Sequence, residues 1–321
     1  MRFQNSRPRA LAEGGVHPNP RGLERLSPPK LGPLPHLQPP PRAVGIEVSL
    51  TVQLPAFPTK LEELIAILGV PFHALTLENA VDRVDSMVAD GGAHYVVTPN
   101  VDFLVKAQRD PGLRRILVCA DLVLCYGKPI VWASHWLGEA LPCRVAGSDL
   151  IPSLLKRAAD RGWRVFLLGG SPDVTSEAAR RIAATYPTLP AVAHYSPPYR
   201  PLREMNDSEI ALRVRAAKPD VMLVCFGCPK QEMWMSTHCK ELGVPVMIGA
   251  GATIDFLADR MARAPVWMQR SGTEWLFRLL QEPRRLTRRY SDDLLHFFPA
   301  ILLQRWRQRR ASAKAGRKAR P

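Results

Sequence analysis

From Val70 to about residue 262 the chain alternates short apolar runs with amphipathic stretches of helical length, and Gly, Pro or Asp marks most boundaries. Runs this short, followed by segments with a three-to-four residue apolar period, read as strands buried on both faces and helices with one apolar side. The strand candidates are Pro71–Leu75, His94–Thr98, Leu122–Cys125, Arg164–Leu168, Ala191–Tyr195, Val221–Phe226 and Val244–Ile248. Most precede a helix, which predicts an α/β fold, a Rossmann-like and mostly parallel sheet flanked by helices. Ahead of it, Val44–Leu54 reads as a short strand and Leu61–Leu68 as a short helix.

Two of these strands, in WRVFLLGG and PVMIGAGA, run into glycine and then an amphipathic helix. Gly169, Gly170 and Gly251 would let backbone N–H groups and a helix N-terminus approach an anion such as a diphosphate. Neither turn carries G-x-G-x-x-G with an acid about twenty residues on, so a dinucleotide fold is not indicated. Glycine after a strand also serves a tight turn for backbone reasons alone.

Three segments follow. Residues 1–43, rich in Pro, Arg and Gly, carry no sustained apolar period and are expected to be a disordered extension. Residues 44–262 form the α/β domain. Residues 263–321 are expected to be a helical, basic appendage and tail in which Arg305, Arg307, Arg309, Arg310, Lys314, Arg317, Lys318 and Arg320 crowd together without an acid. The formal charge of +15 calls for an anionic partner, and its concentration in this last segment favours a membrane surface or a phosphate-bearing substrate over specific nucleic-acid binding. Between His296 and Arg310, apolar residues give way to interleaved Trp and Arg. This suits a helix in a lipid headgroup layer or a core-packed helix with a solvated basic end.

No stretch of eighteen apolar residues and no basic-then-apolar leader pattern is present, so any membrane contact is expected to be peripheral. The six cysteines lie in or beside apolar segments and read as reduced core thiols, which points to the cytoplasm. Cys225 and Cys228 form C-x-x-C, but no second pair stands at zinc spacing, and a tight strand-to-helix turn explains them.

Four segments carry the chemistry: Thr98-Pro99-Asn100-Val101-Asp102, Arg144-Val145-Ala146-Gly147-Ser148-Asp149, Gly227-Cys228-Pro229-Lys230-Gln231-Glu232, and Glu274-Trp275-Leu276-Phe277-Arg278 followed by Glu282-Pro283. In order and spacing they resemble the WecG/TagA/CpsF glycosyltransferase family across roughly Leu68 to Arg289. The resemblance implies transfer of N-acetylmannosamine or a related hexose from a UDP-sugar to a polyprenyl-diphosphate-linked sugar in cell-surface polysaccharide synthesis. It also implies inversion, no cofactor, no required metal, and an appendage that closes the site on the inner face of the cell membrane. A homo-oligomer is left open.

Such a transfer needs a base for the acceptor hydroxyl and cationic groups for the departing diphosphate. By resemblance, Arg144 serves activity, Arg278, Arg285 and Arg288 clamp the diphosphate, and Thr98, Asn100 and Gln231 line the pocket. Guanidinium forks suit phosphate bidentately. Asn100 and Thr98 equally suit an ordinary helix N-cap. One departure stands out: where the family usually carries Asp before a glycine, as its base, this chain has Tyr126 before Gly127. A phenol with an ordinary pKa near 10 is a poor base at neutral pH. Three readings follow: a nearby carboxylate such as Asp102 or Asp121 substitutes, the acceptor differs, or the protein is a catalytically degenerate binder of sugar nucleotide or glycolipid.

Overall fold

The computed structural model describes residues 64–271 and 273–318. The expected extension 1–43 and the strand expected at 44–54 lie outside the described residues. A hairpin comes first, β1 (Leu64–Ile67) and β2 (Val70–His73), antiparallel with Ile67 opposite Val70. The helix expected over Leu61–Leu68 is therefore corrected to a strand across its described part. Ile65 and Ile67 are buried while Leu64 is exposed, the period-two pattern of a strand. Leu68 and Gly69 both take positive φ, 51° and 78°, the geometry of a two-residue hairpin turn.

The main domain follows as α1 (Leu77–Ala89), β3 (His94–Val97), α2 (Val101–Arg109), α3 (Pro111–Val118), β4 (Leu122–Val123), α4 (Lys128–Leu137), α5 (Gly147–Arg161), β5 (Val165–Gly169), α6 (Pro172–Thr185) and β6 (Ala193–Tyr195). It continues through α7 (Asp207–Ala217), β7 (Val221–Cys225), α8 (Lys230–Leu242), β8 (Val246–Gly249) and α9 (Thr253–Leu257). Three helices close the chain: α10 (Val266–Ser271), α11 (Glu274–Gln281) and α12 (Pro283–Lys318). The six-stranded sheet runs β4-β3-β8-β7-β5-β6, and every pairing in it is parallel. Leu223 stands opposite Leu167 on one side and Ile248 on the other.

Because side chains alternate along a strand, the sheet builds two cores. Val97, Phe166, Leu168, Met222, Val224 and Met247 face one layer of helices. Val96, Val165, Leu167, Leu223, Val246 and Ile248 face the other. Strands buried on both faces give up the polar alternation of a surface sheet, which is why β5, β7 and β8 read as unbroken apolar runs.

The C-terminal helices do not stand apart. Along α12, Leu286, Asp293, Phe297 and Ile301 are buried at helical spacing, and Phe297 and Ile301 join the core layer that holds α2 and α4. Each apolar side chain so buried contributes on the order of 2 kcal/mol. Gln304 locks the helix to the hairpin: its Oε1 accepts from Leu68 N at 2.8 Å and its Nε2 donates to Ala66 O at 2.8 Å. The core-packed reading of His296–Arg310 describes this inner face, and Arg307, Arg309 and Arg310 beyond it are exposed.

Candidate active site

In a parallel sheet all the carboxyl ends of the strands share one edge, so the turns after β3, β4, β5, β7 and β8 meet there. Thr98, Asn100, Tyr126, Gly170 and Gly251 fall on these turns, Gly169 ends β5, and Gln231 stands in the first turn of α8. The helix α5 runs back toward β5, which brings its N-terminus, with Gly147, Ser148 and Asp149, to the same edge.

Asn100 caps α2, its side-chain oxygen accepting from Phe103 N at 3.2 Å. Thr98, two residues earlier, is half-buried. Gln231 is buried and bonds in two directions, its Oε1 accepting from Gly227 N (3.2 Å) and Gly251 N (3.1 Å) while its Nε2 donates to Glu232 Oε1 (2.7 Å). It ties the turns after β7 and β8 together, leaving one amide hydrogen for anything else. Burial pushes the Glu232 carboxyl up to about 7, against the hydrogen bond from Gln231. Gly169 has φ +98°, and a Cβ there would stand 2.7 Å from the Phe226 ring, so only glycine allows this approach.

Two charged clusters lie at this edge. In the first, Arg144 Nη1 donates to Glu274 Oε2 at 2.8 Å, and its Nη2 lies 3.7 Å from Asp149 Oδ2. Arg263 completes it by binding the other Asp149 oxygen. Tyr126 faces this group: burial raises its phenol, with Arg278 and Arg144 opposing and Glu274 and Asp149 reinforcing. A phenol so raised is further from serving as a base. Arg278 lies over the Phe256 ring at 5.1 Å. In the second cluster, Asp102 is buried and holds two cations on one oxygen, Arg289 Nη2 at 2.7 Å and Lys106 Nζ at 2.9 Å. Asp293 on α12 is buried against it and its carboxyl is pushed up to about 6, by burial first and then by the Asp102 charge. Tyr290 faces both clusters, its phenol raised by burial against Arg278 and Arg289.

Asp121 belongs elsewhere. It precedes β4, accepts Tyr95 N–H at 3.0 Å and faces His94, which starts β3, so it sits at the amino edge of the sheet. The structure removes it as a stand-in base. Arg288 is exposed on α12, and the side chain of Arg285 lies outside the described ones. Glu274, Arg263 and Arg289 are site groups that the sequence motifs did not assign. The only local signal was the i, i+4 spacing of Glu274 and Arg278 on one helix face.

Buried polar atoms without partners are rare in folded proteins and point to groups that a ligand would satisfy. Among the described residues these are Arg263 Nε, Arg278 Nε, Arg289 Nε, Glu274 Oε1, Ser148 Oγ, Glu232 Oε2 and His94 Nδ1. All but His94 lie at the carboxyl edge, and three are guanidinium donors. By contrast, an open groove between α6 and the end of α9 pairs its own charges, Arg181 with Asp259 at 2.9 Å and Arg180 with Glu177 at 2.6 Å. The first set leaves guanidinium donors for an anion to satisfy, and the groove does not.

A family model for the glycosyl transferase WecG/TagA/CpsF family matches residues 65–311. Two relatives carry the name N-acetylglucosaminyldiphosphoundecaprenol N-acetyl-beta-D-mannosaminyltransferase. That of Bacillus spizizenii is 30% identical over 248 residues, covering 74% of this chain and 92% of its own. That of Staphylococcus aureus is 28% identical over 226 residues, covering 70% and 87%.

Proposed function

The chain belongs to the WecG/TagA/CpsF family of glycosyltransferases, and from that premise we propose that it moves N-acetylmannosamine or a related hexose from a UDP-sugar to a polyprenyl-diphosphate-linked sugar. The relatives' acceptor, a diphosphoundecaprenol glycolipid by name, supports the acceptor class. The observation that carries the donor class is the set of buried guanidinium N–H groups of Arg263, Arg278 and Arg289 without an acceptor, of which Arg263 shares Asp149 with Arg144. A diphosphate supplies the oxygens that satisfy them, and fixed cations take up the charge that develops as it leaves. Arginine can do this in place of a metal ion. Inversion follows if the acceptor hydroxyl attacks opposite the diphosphate in one displacement.

Thr98, Asn100 and Gly251 fit a role in holding the sugar and nucleotide, and Gly169 and Gly170 a role in shaping the neighbouring turn. Arg285 and Arg288, on α12, fit contacts with phosphate at the rim. Gln231 serves by fixing two of these turns and offers at most one hydrogen bond outward.

Residues 263–321 act as a membrane-associating appendage on the inner face of the cell membrane. No helix of the described residues is long and apolar enough to cross a membrane. The outward side of α12, however, exposes Leu295, Phe298, Leu302 and Trp306, and α4 beside it exposes Trp132 and Trp136. Arg305 lies over Trp136 at 4.5 Å. Aromatic and leucine side chains rimmed by arginine suit the headgroup layer of an anionic membrane, where a polyprenyl substrate is presented.

One observation favours a second reading, a binding protein with little turnover: Tyr126 stands where the resemblance expects Asp, and its phenol is raised. The deciding experiment supplies a UDP-hexose panel and a short-chain polyprenyl-diphosphate sugar and follows product mass. UDP release that depends on the acceptor and persists in chelator is the expected result. Binding of UDP without transfer from any donor favours the second reading.

A further inference from the structure

The transfer needs a proton acceptor, and the carboxylates of the carboxyl edge differ sharply in how free they are. Asp102 is held by Arg289 and Lys106. Asp149 is held by Arg263 and approached by Arg144. Glu232 is almost wholly buried behind Gln231 and carries its hydrogen bond. Asp255, half-buried on α9, faces Arg278 and Glu282. Glu274 is different. Its side chain is 10% exposed, one oxygen is bound to Arg144, and the other is buried with no partner at all. Its charge reaches the Tyr126 phenol, which is raised by burial and cannot take a proton at neutral pH.

We propose that Glu274 is the catalytic base: its unpartnered Oε1 accepts the proton of the acceptor hydroxyl while Arg144 leaves Oε2 for the donor diphosphate. The inference rests on the glycosyl-transfer reading. As the hydroxyl oxygen bonds to the anomeric carbon, its proton passes to Glu274. The carbon–oxygen bond to the diphosphate breaks, and its electron pair leaves on the phosphate oxygen beside Arg144 and Arg278. In the resting protein the Arg144 guanidinium neutralises the Glu274 carboxylate. Once the guanidinium turns to a diphosphate, the carboxylate is released from its cation and is free to accept the hydrogen bond and then the proton of the acceptor hydroxyl. The donor thus switches on the base.

The test has a binding arm and a kinetic arm. Calorimetric titration should give UDP affinities within about threefold for the wild type and Glu274→Gln, whose amide keeps a contact to Arg144, because the proposed base takes its proton from the acceptor and does not hold the nucleotide. A loss of UDP affinity of about tenfold or more in Glu274→Gln makes Glu274 a binding residue and overturns the proposal. In transfer assays Glu274→Gln should lose at least about a hundredfold in kcat with KM for the UDP-sugar changed less than about threefold, and lose the acid limb of the pH profile. Glu274→Asp should regain part of the rate. Retention of the acid limb in Glu274→Gln, with its loss in Asp255→Asn, assigns the base to Asp255 and overturns the proposal. A wild type that transfers from no donor sinks both readings, whereas wild-type transfer that persists undiminished in Glu274→Gln sinks this proposal alone.

Discussion

Replacing Asp293 by Asn should stabilise the protein in neutral and alkaline solution and do nothing in acid. Asp293 is 7% exposed on α12, facing Asp102 and Lys106 on α2 and Arg289 and Asp292 on its own helix. Its carboxyl stands at about 6 against an ordinary value of 3.8. A raised folded-state pKa in an acid means that the native state prefers the protonated form. The stabilising effect of that proton is complete below about 4 and is lost as pH rises through 6. Two units at about 1.36 kcal/mol each give a penalty of roughly 3 kcal/mol above pH 8. The isosteric amide carries no charge to desolvate, so Asp293→Asn should raise Tm at pH 8 by about 5–10 °C. The gain should shrink through pH 6 and vanish near pH 4. The assay is a paired set of thermal denaturation curves between pH 4 and 8.5, read as a difference so that other titrating groups cancel. A difference that is zero at pH 8, or the same at every pH, refutes the reasoning.

Three further outcomes follow from the same contacts. Arg144→Lys loses the planar fork that holds Glu274 at rest and the diphosphate once the donor binds, and kcat/KM for transfer should drop about a hundredfold while Tm moves little. Phe297→Ala opens a cavity where α12 joins the core, and chemical denaturation should show a loss of about 3–5 kcal/mol. Trp132→Ser with Trp136→Ser should weaken partitioning onto anionic vesicles at least about tenfold without changing UDP affinity in free solution.

The sequence disclosed the sheet because its strands are buried on both sides: β5, β7 and β8 have no polar alternation to disguise them as anything else. The first hairpin was harder. In LIAILGV the apolar run is too short for its period to separate a helical turn from a strand, and only the turn geometry at Leu68-Gly69 decides. On α12 the positions 286, 293, 297 and 301 repeat as a contact face should, yet the sequence could not say whether protein or lipid covers it. The site was legible where its groups lie within a motif, as with Asn100 capping its own helix. It was illegible where the chain closes over long separations: Arg144 and Glu274 are 130 residues apart, Asp102 and Arg289 are 187 apart, and no local pattern announces such a pair. Gln231 shows a further limit, since its type suits a sugar hydroxyl while its neighbours in space are two glycine N–H groups.

The most direct measurement is a structure of the protein with UDP bound. The proposed site requires phosphate oxygens within hydrogen-bond distance of the Arg144 and Arg278 guanidinium groups, with Glu274 released from Arg144. Phosphates found instead in the groove beside Arg180 and Arg181, with the Arg144–Glu274 pair intact, would contradict it.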